Sequence, residues 1–426
     1  MKEYAGKVLM MVENFFPADA RVRNEAFTLS EKGYKVSVIA LRGHAEKAHQ
    51  IVNGISVYRI PKITLFKKVA SARRTPFRKI LRKVQAVVGY TFEYCYFTFA
   101  CLFVSLYVAV REGFDVLHVH NPPDTLFLVG AIHKVFGKQF IFDHHDLCPE
   151  LYLSRYKAKD DIMSHALRLL EKLSLKMADI AIVTNESYRA IDIRRASLNP
   201  DKVFVVRNGP DLERVRLRAP DRALAGAGRT ILGYIGRMNP QDGVDYLLRA
   251  LRYLVHEIGR TDVYCVLIGD GDSVDQLKLQ AASLAIGDHV LFTGLVSDED
   301  AMRYLSTADI CLDPDPSSPL NDVSTWIKIM EYMALAKPIV SFDLKETRTS
   351  AGDAAVYVTP NNEMEFARAI AQLMDDPERR RKMGEYGRMR VERDLSWKVV
   401  SQNLLLAYNT LFPQSADRGA GQAMSA

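Results

Sequence analysis

At 426 residues, with 48% hydrophobic and 25% charged residues, the chain is long enough for two globular domains and has the composition of an ordinary folded protein, which gives enough apolar residues for a large core and argues against disorder as the default. The net charge of +6 is unevenly placed, and no base-reading motif accompanies the basic stretch, so nucleic acid is a weak explanation of it. Cys95, Cys101, Cys148, Cys265 and Cys311 form an odd, unpatterned set without a CxxC pair, which predicts free thiols in a reducing compartment.

The N-terminus carries acidic residues and only a short apolar run, so 7–13 (KVLMMVE) reads as a first strand rather than a signal peptide. A loop, a helix over 20–32 ending at Gly33 and a strand over 35–40 complete a βαβ unit. Ligands bind at the carboxyl ends of such strands, so Asp19 and Arg21 either contact a substrate or are solvated turn charges. There is no GxGxxG here, and a dinucleotide is not supported.

Residues 61–92 hold Lys62, Lys67, Lys68, Arg73, Arg74, Arg78, Lys79, Arg82 and Lys83 and no acidic residue. From Ala86 to Val110 the chain is almost wholly apolar, interrupted by Glu93. A basic segment beside an apolar one suits an anionic membrane surface. A buried helix and a true membrane span are the alternatives.

The segments FDVLHVHNPPD (114–124) and QFIFDHHDLCPELY (139–152) are apolar strands ending in His and Asp at a turn. They gather His118, His120, His144, His145, Asp143 and Asp146 at strand ends. An acid/base or hydrogen-bonding role fits them better than a metal, which needs several convergent ligands and a second shell. His118 lies inside its strand and reads as a core residue; His120, at the exit before Pro122-Pro123, reads as the more exposed one. A helix over 160–176, a strand and helix start over 178–191 and a strand ending in a turn over 201–211 complete a first domain of residues 1–210. Residues 211–229, rich in charge, Ala and Gly, read as a linker.

The second domain, 230–393, opens with strand, Gly-bearing loop and amphipathic helix (TILGYIGRMNPQDGVDYLLRAL). The strand and Gly-Asp loop VYCVLIGDGDS follow, then HVLFTGLVSDEDAMRYLSTADICLDPD. Glycines let a backbone come close to a phosphate. After a strand at 310–312, a helix is predicted to start near Asp322 or Ser324, with Ser324, Lys328 and Glu331 as a polar stripe. An ammonium and a carboxylate one turn apart suit a nucleotide's phosphate and ribose. They also suit a plain surface ion pair. Asp313 and Asp315 (DPD) read as a Pro-shaped loop rather than a metal-binding DxD. A turn and edge strand over 350–360, charged helices over 363–393, a helix over 394–412 and a loose tail over 413–426 end the chain.

The run KIMEYMALAKPIVSFD (328–343), with the HHDLCPELY, GRMNPQDG and IGDGD segments in that order before it, resembles the family 4 glycosyltransferases. The resemblance implies an α/β protein of the GT-B fold: two Rossmann-like domains facing across a cleft, with the C-terminal helix crossing back to the first. It implies transfer with retention from a nucleotide-diphospho-sugar, a UDP-sugar by preference, with no further cofactor and no metal. Glu331 would hold the ribose, and Arg237 and Lys328 the diphosphate beside Gly236, Asp270, Gly271 and Ser324. Thr293 to Val296 would meet the base. His120, with His145-Asp146, would orient the sugar and the incoming hydroxyl. Val323 and Asp242 stand where the family usually has a Glu and a Lys. The basic and apolar segment 62–110 points to a glycan or lipid-linked acceptor, as in surface-polysaccharide synthesis at the inner face of the cytoplasmic membrane. A nucleotide-sugar epimerase and a non-catalytic assembly scaffold are the rival expectations.

Overall fold

The computed structural model describes residues 4–63, 76–156, 160–225 and 228–412. Lys67, Lys68, Arg73 and Arg74 of the basic segment lie outside these residues, as does the tail after residue 412. The chain divides into two compact units, Met1–Val206 with Ser401–Ala426, and Arg207–Val400.

The first unit is built on an eight-stranded sheet: β1 (Lys7–Phe15), β2 (Lys35–Arg42), β3 (His49–Val52), β4 (Ile55–Pro61), β5 (Val116–His120), β6 (Gln139–His144), β7 (Ile180–Val183) and β8 (Val203–Val205). The spatial order is β3-β4-β2-β1-β5-β6-β7-β8, parallel throughout except for the β3–β4 hairpin. That hairpin turns at Asn53-Gly54, both at positive φ, the chemistry of a type I′ turn. The helices are α1 (Ala20–Glu31), α2 (Pro76–Arg111), α3 (Phe127–Val135), α4 (Cys148–Tyr156), α5 (Ile162–Met177) and α6 (Glu186–Ala196). Asp19, partly exposed, caps α1, accepting from the Val22 amide at 3.1 Å.

Helix α2 spends its apolar residues in two ways. Phe97, Cys101 and Val108 are buried, while Phe99, Phe103 and Val110 are exposed. Its inner face is fastened by Ser105 Oγ to His133 Nε2 at 2.8 Å and by Thr98 Oγ1 to Thr125 Oγ1 at 2.7 Å. Residues 91–111 are long and apolar enough to cross a membrane by length and composition, yet one face is docked on the unit.

The second unit has six parallel strands: β9 (Thr230–Ile235), β10 (Val263–Ile268), β11 (Val290–Gly294), β12 (Ile310–Asp313), β13 (Ile339–Phe342) and β14 (Ala355–Val358), in the order β11-β10-β9-β12-β13-β14. Its helices are α7 (Arg222–Ala225), α8 (Val244–Arg252), α9 (Val274–Ser283), α10 (Asp298–Thr307), α11 (Ile327–Ala334), α12 (Lys345–Ala351), α13 (Glu363–Met374) and α14 (Pro377–Arg390), while α15 (Trp397–Leu411) belongs to the first unit from Ser401 on. Period-two alternation splits each strand between two apolar layers. Leu232, Tyr234, Cys265, Leu267, Ile310 and Leu312 join one. Ile231, Val266, Ile268 and Cys311 join the other, with Met330 and Met333 of α11. Burial on both faces explains why these strands read as continuous apolar runs.

Two stretches depart from expectation. The stretch expected to be a linker is bonded within the second unit at Arg218 and Asp221, whose amides donate to Ser306 Oγ and Thr307 Oγ1 at 3.0 and 2.8 Å. Helix α11 starts at Ile327 rather than near Asp322 or Ser324, because Asn321–Val323 closes a separate 3-10 turn.

Candidate active site

In the first unit, β5 and β6 carry their chemistry inward. His120 is fully buried, so it is not the exposed residue its position suggested; His118 is equally buried. The two imidazoles stack at 4.4 Å. His118 Nδ1 lies 2.9 Å from the Tyr408 hydroxyl. His120 Nδ1 lies 2.9 Å from Asp143 Oδ2. Arg21 is not a solvated charge either: it grips Asp143 with two hydrogen bonds of 2.7 and 2.8 Å and donates to the Val206 carbonyl at 2.9 Å. Glu25, one turn along α1, lies 3.3 Å from Arg21.

This geometry sets the protonation. Burial raises Asp143, but the Arg21 guanidinium overrides it and holds the carboxyl well below its ordinary range. Burial lowers His120 despite Asp143, so its ring is neutral near pH 7. Its Nδ1 faces Asp143, and its Nε2 faces Glu25 at 3.8 Å. His145 differs: burial alone would lower it, but Asp143 raises it. Its ring lies 6.1 Å from that of His120, and its side chain is 19% exposed. A partly exposed, more readily charged ring backed by a buried neutral one can orient hydroxyls.

Asn121, which sequence reasoning passed over, joins the two strand exits. Its Oδ1 accepts from the His145 and Asp146 amides at 2.9 and 3.1 Å, and its Nδ2 donates to the Asp146 carbonyl at 2.7 Å. Asp146 is thereby held through its backbone. A second buried set lies beside it. His144 Nδ1 is 2.8 Å from Asp192, and its Nε2 is 3.6 Å from Glu171, which Arg195 also holds. Burial would lower His144, but Asp192 and Glu171 raise it to about 10. Among the described residues, Glu25, His118, His120 and Asp143 each offer one atom within 4.8 Å of the others and could hold a metal ion.

In the second unit the loops after β9, β10 and β12 are knitted by backbone. The Met238 amide donates to the Asp270 carbonyl at 3.1 Å, and the Ser273 amide to the Met238 carbonyl at 2.9 Å. A Cβ on Gly271 would stand 2.4 Å from the Met238 carbonyl oxygen. One on Gly243, at φ +69, would stand 2.0 Å from that of Pro314. These contacts require glycine. They bring Gly236, Arg237, Asp270 and Gly271 together, with the Arg237 side chain exposed. The Gly294 carbonyl accepts from Gly269 at 3.2 Å, which adds the turn of Thr293; Val296 packs into the apolar layer behind it.

The polar stripe on α11 is not formed. Ser324 precedes the helix and donates to the Leu320 carbonyl at 2.7 Å. Lys328 is buried away from Glu331, 3.1 Å from Asp313 and in a closer contact with Asp315. The DPD loop is therefore a clamp for an ammonium. Burial would lower Lys328, but the two carboxylates hold it charged. Asp242, in the position of the family's Lys, is buried and accepts from the Asn239 amide at 2.8 Å. Half-buried Glu331 has its carboxyl raised to about 7, by burial first and then by Asp298, with Arg214 opposing.

With this geometry in hand, residues 19–214 match the family model for Glycosyltransferase Family 4, and 218–390 match that for Glycosyl transferases group 1. The chain is a glycosyltransferase. A curated relative, the phosphatidyl-myo-inositol mannosyltransferase of Mycolicibacterium smegmatis, is 28% identical over 71% of this chain and 73% of its own length. Among solved structures, sucrose-phosphate synthase from Thermosynechococcus elongatus aligns with a TM-score of 0.72 at 18% identity, covering 96% of this chain and 100% of its own. Anabaena HepE, solved with UDP and glucose, aligns at 0.69 and 16% identity, covering 95% and 100%. These likenesses establish the GT-B fold for the glycosyltransferase.

Proposed function

We propose that this glycosyltransferase moves a sugar from a UDP-sugar to a lipid-linked or glycan acceptor, with retention, in surface-polysaccharide assembly at the inner face of the cytoplasmic membrane. The observation that carries the reading is the loop knot after β9, β10 and β12, with Arg237 exposed on it. A diphosphate suits amides and a guanidinium that need no reorganisation on binding. Glu331 takes the ribose hydroxyls and Arg237 the diphosphate. Lys328 acts with Asp313 and Asp315 as one clamped unit. Asn321 and Ser324 are turned into the loop by their own hydrogen bonds, so backbone amides take the place of the family's first Glu at Val323. His120, buried against Asp143, positions the strand exit at which the partly exposed His145, with Asp146, meets the sugar or acceptor hydroxyl. No cofactor beyond the donor and no metal are needed.

HepE's UDP ligand supports the donor, and the lipid in the mannosyltransferase's name supports the acceptor class. The unpaired state of all five cysteines and the apolar outer face of α2 support the location. The test is thermal stabilisation across a panel of nucleotides, since a ligand bound only by the folded state raises stability by mass action. UDP and one UDP-sugar are expected to raise Tm, and that UDP-sugar to support transfer. A panel in which no nucleotide diphosphate shifts Tm would overturn the reading.

A further inference from the structure

The first unit holds a cavity of about 150 Å³ walled by α2, α4, α5 and the loop after β5. Tyr94, Pro123, Leu151, Met163 and Leu167 give it a mainly apolar lining, and Arg155 stands in the same wall. We propose that it takes the hydrocarbon next to the phosphate of the lipid-linked acceptor, with that phosphate at Arg155; this rests on the acceptor class proposed above.

Three observations carry it. The first is size and chemistry. An apolar cavity of this volume takes a hydrocarbon of about benzene size, so it fits one short branched segment rather than a whole lipid. The second is continuity. The helices that wall it also carry exposed apolar side chains, Phe92, Phe99 and Phe103 on α2 and Ile162 and Leu169 on α5. Such a surface marks an apolar partner. The third is placement. Pro122 and Pro123 line the cavity and directly follow His120-Asn121. A chain seated here enters beside the β5 exit, where a bulk membrane lipid has no reason to sit. Arg155 supplies the charge complement to a phosphate.

The probe is farnesyl phosphate, titrated calorimetrically into the full chain without vesicles, beside inorganic phosphate, farnesol and UDP. Saturable one-site binding of farnesyl phosphate is expected, at least tenfold tighter than inorganic phosphate. Leu167→Trp, which fills the cavity, should weaken it at least tenfold while UDP binds as before. Arg155→Gln should weaken farnesyl phosphate and leave farnesol unchanged. Should Leu167→Trp lose UDP binding as well, Leu151→Phe takes its place. The inference is overturned if both filling variants bind farnesyl phosphate as the wild type does, or if inorganic phosphate binds as tightly. It is also overturned if phosphatidylglycerol vesicles capture wild type and filled variants equally and farnesyl phosphate does not bind. Intact UDP binding without farnesyl phosphate binding sinks this inference alone. Absent UDP binding in the wild type sinks the donor assignment.

Discussion

The two units place polar groups at the same point of the same architecture, the carboxyl ends of parallel strands, by opposite means. In the first, β5 and β6 end in side chains whose charges are settled inside the protein: Arg21 against Asp143, Tyr408 against His118, Asp192 against His144. In the second, the glycine loops after β9 and β10 offer backbone, and the strongest charges, Lys328 with Asp313 and Asp315, are clamped beneath them. The contrast fits a division of work. Orienting hydroxyls needs a few side chains held in fixed protonation states. Holding a diphosphate needs many amides and little else.

The sharpest way to break the contrast is to unsettle a buried pair. Asp143→Ala removes the carboxylate that takes two hydrogen bonds from the buried Arg21; breaking such a pair costs about 3–5 kcal/mol, readable as a fall in the denaturation midpoint. Exposed Arg237→Ala should leave that midpoint unchanged. A comparable loss is expected from alkaline pH. The folded value of His144, about 10, lies above its unfolded value of about 6.5. Its contribution is therefore full below about pH 6.5 and is lost as pH rises through the folded value. Stability should fall by a few kcal/mol over that window, and His144→Gln should flatten the fall. Next in size, Gly243→Ala forces the loop off Pro314. It should cost about 2 kcal/mol or more and weaken UDP binding.

The smallest effect is a pH dependence of nucleotide affinity. Burial raises the Glu331 carboxyl to about 7, and under the proposed assignment it binds ribose as the carboxylate. UDP affinity should therefore fall severalfold between pH 8 and pH 6, while Glu331→Gln binds weakly with no such slope. The same raised value means the folded state holds this proton longer than the unfolded chain does. The Glu331 contribution to stability therefore declines as pH rises towards the folded value.

How much of this was legible in the sequence differs by unit too. The alternation of apolar strands and amphipathic helices announced both sheets, and the glycines at 236, 243 and 271 announced loops with close backbone approach. The β3–β4 hairpin was passed over although Asn53-Gly54 is its signal. The side-chain pairings were not legible. Lys328 and Glu331 have the spacing of a helical pair, but the 3-10 turn at Asn321–Val323 delays the helix start, and Asp313 and Asp315 outbid Glu331 for the ammonium. His120 sits at a strand exit, yet Arg21 and Glu25 from a segment about a hundred residues earlier close over it. Charge partners that far apart in sequence leave no local pattern.

The central claim, nucleotide held by the second unit and hydroxyl chemistry by the first, is tested most directly by calorimetric titration of UDP into two single variants. His120→Ala is expected to bind UDP as the wild type does while losing transfer. Glu331→Ala is expected to bind UDP about 10- to 100-fold more weakly, the size of a lost charged hydrogen bond. Equal weakening in both variants, or unchanged UDP affinity in Glu331→Ala, would contradict it.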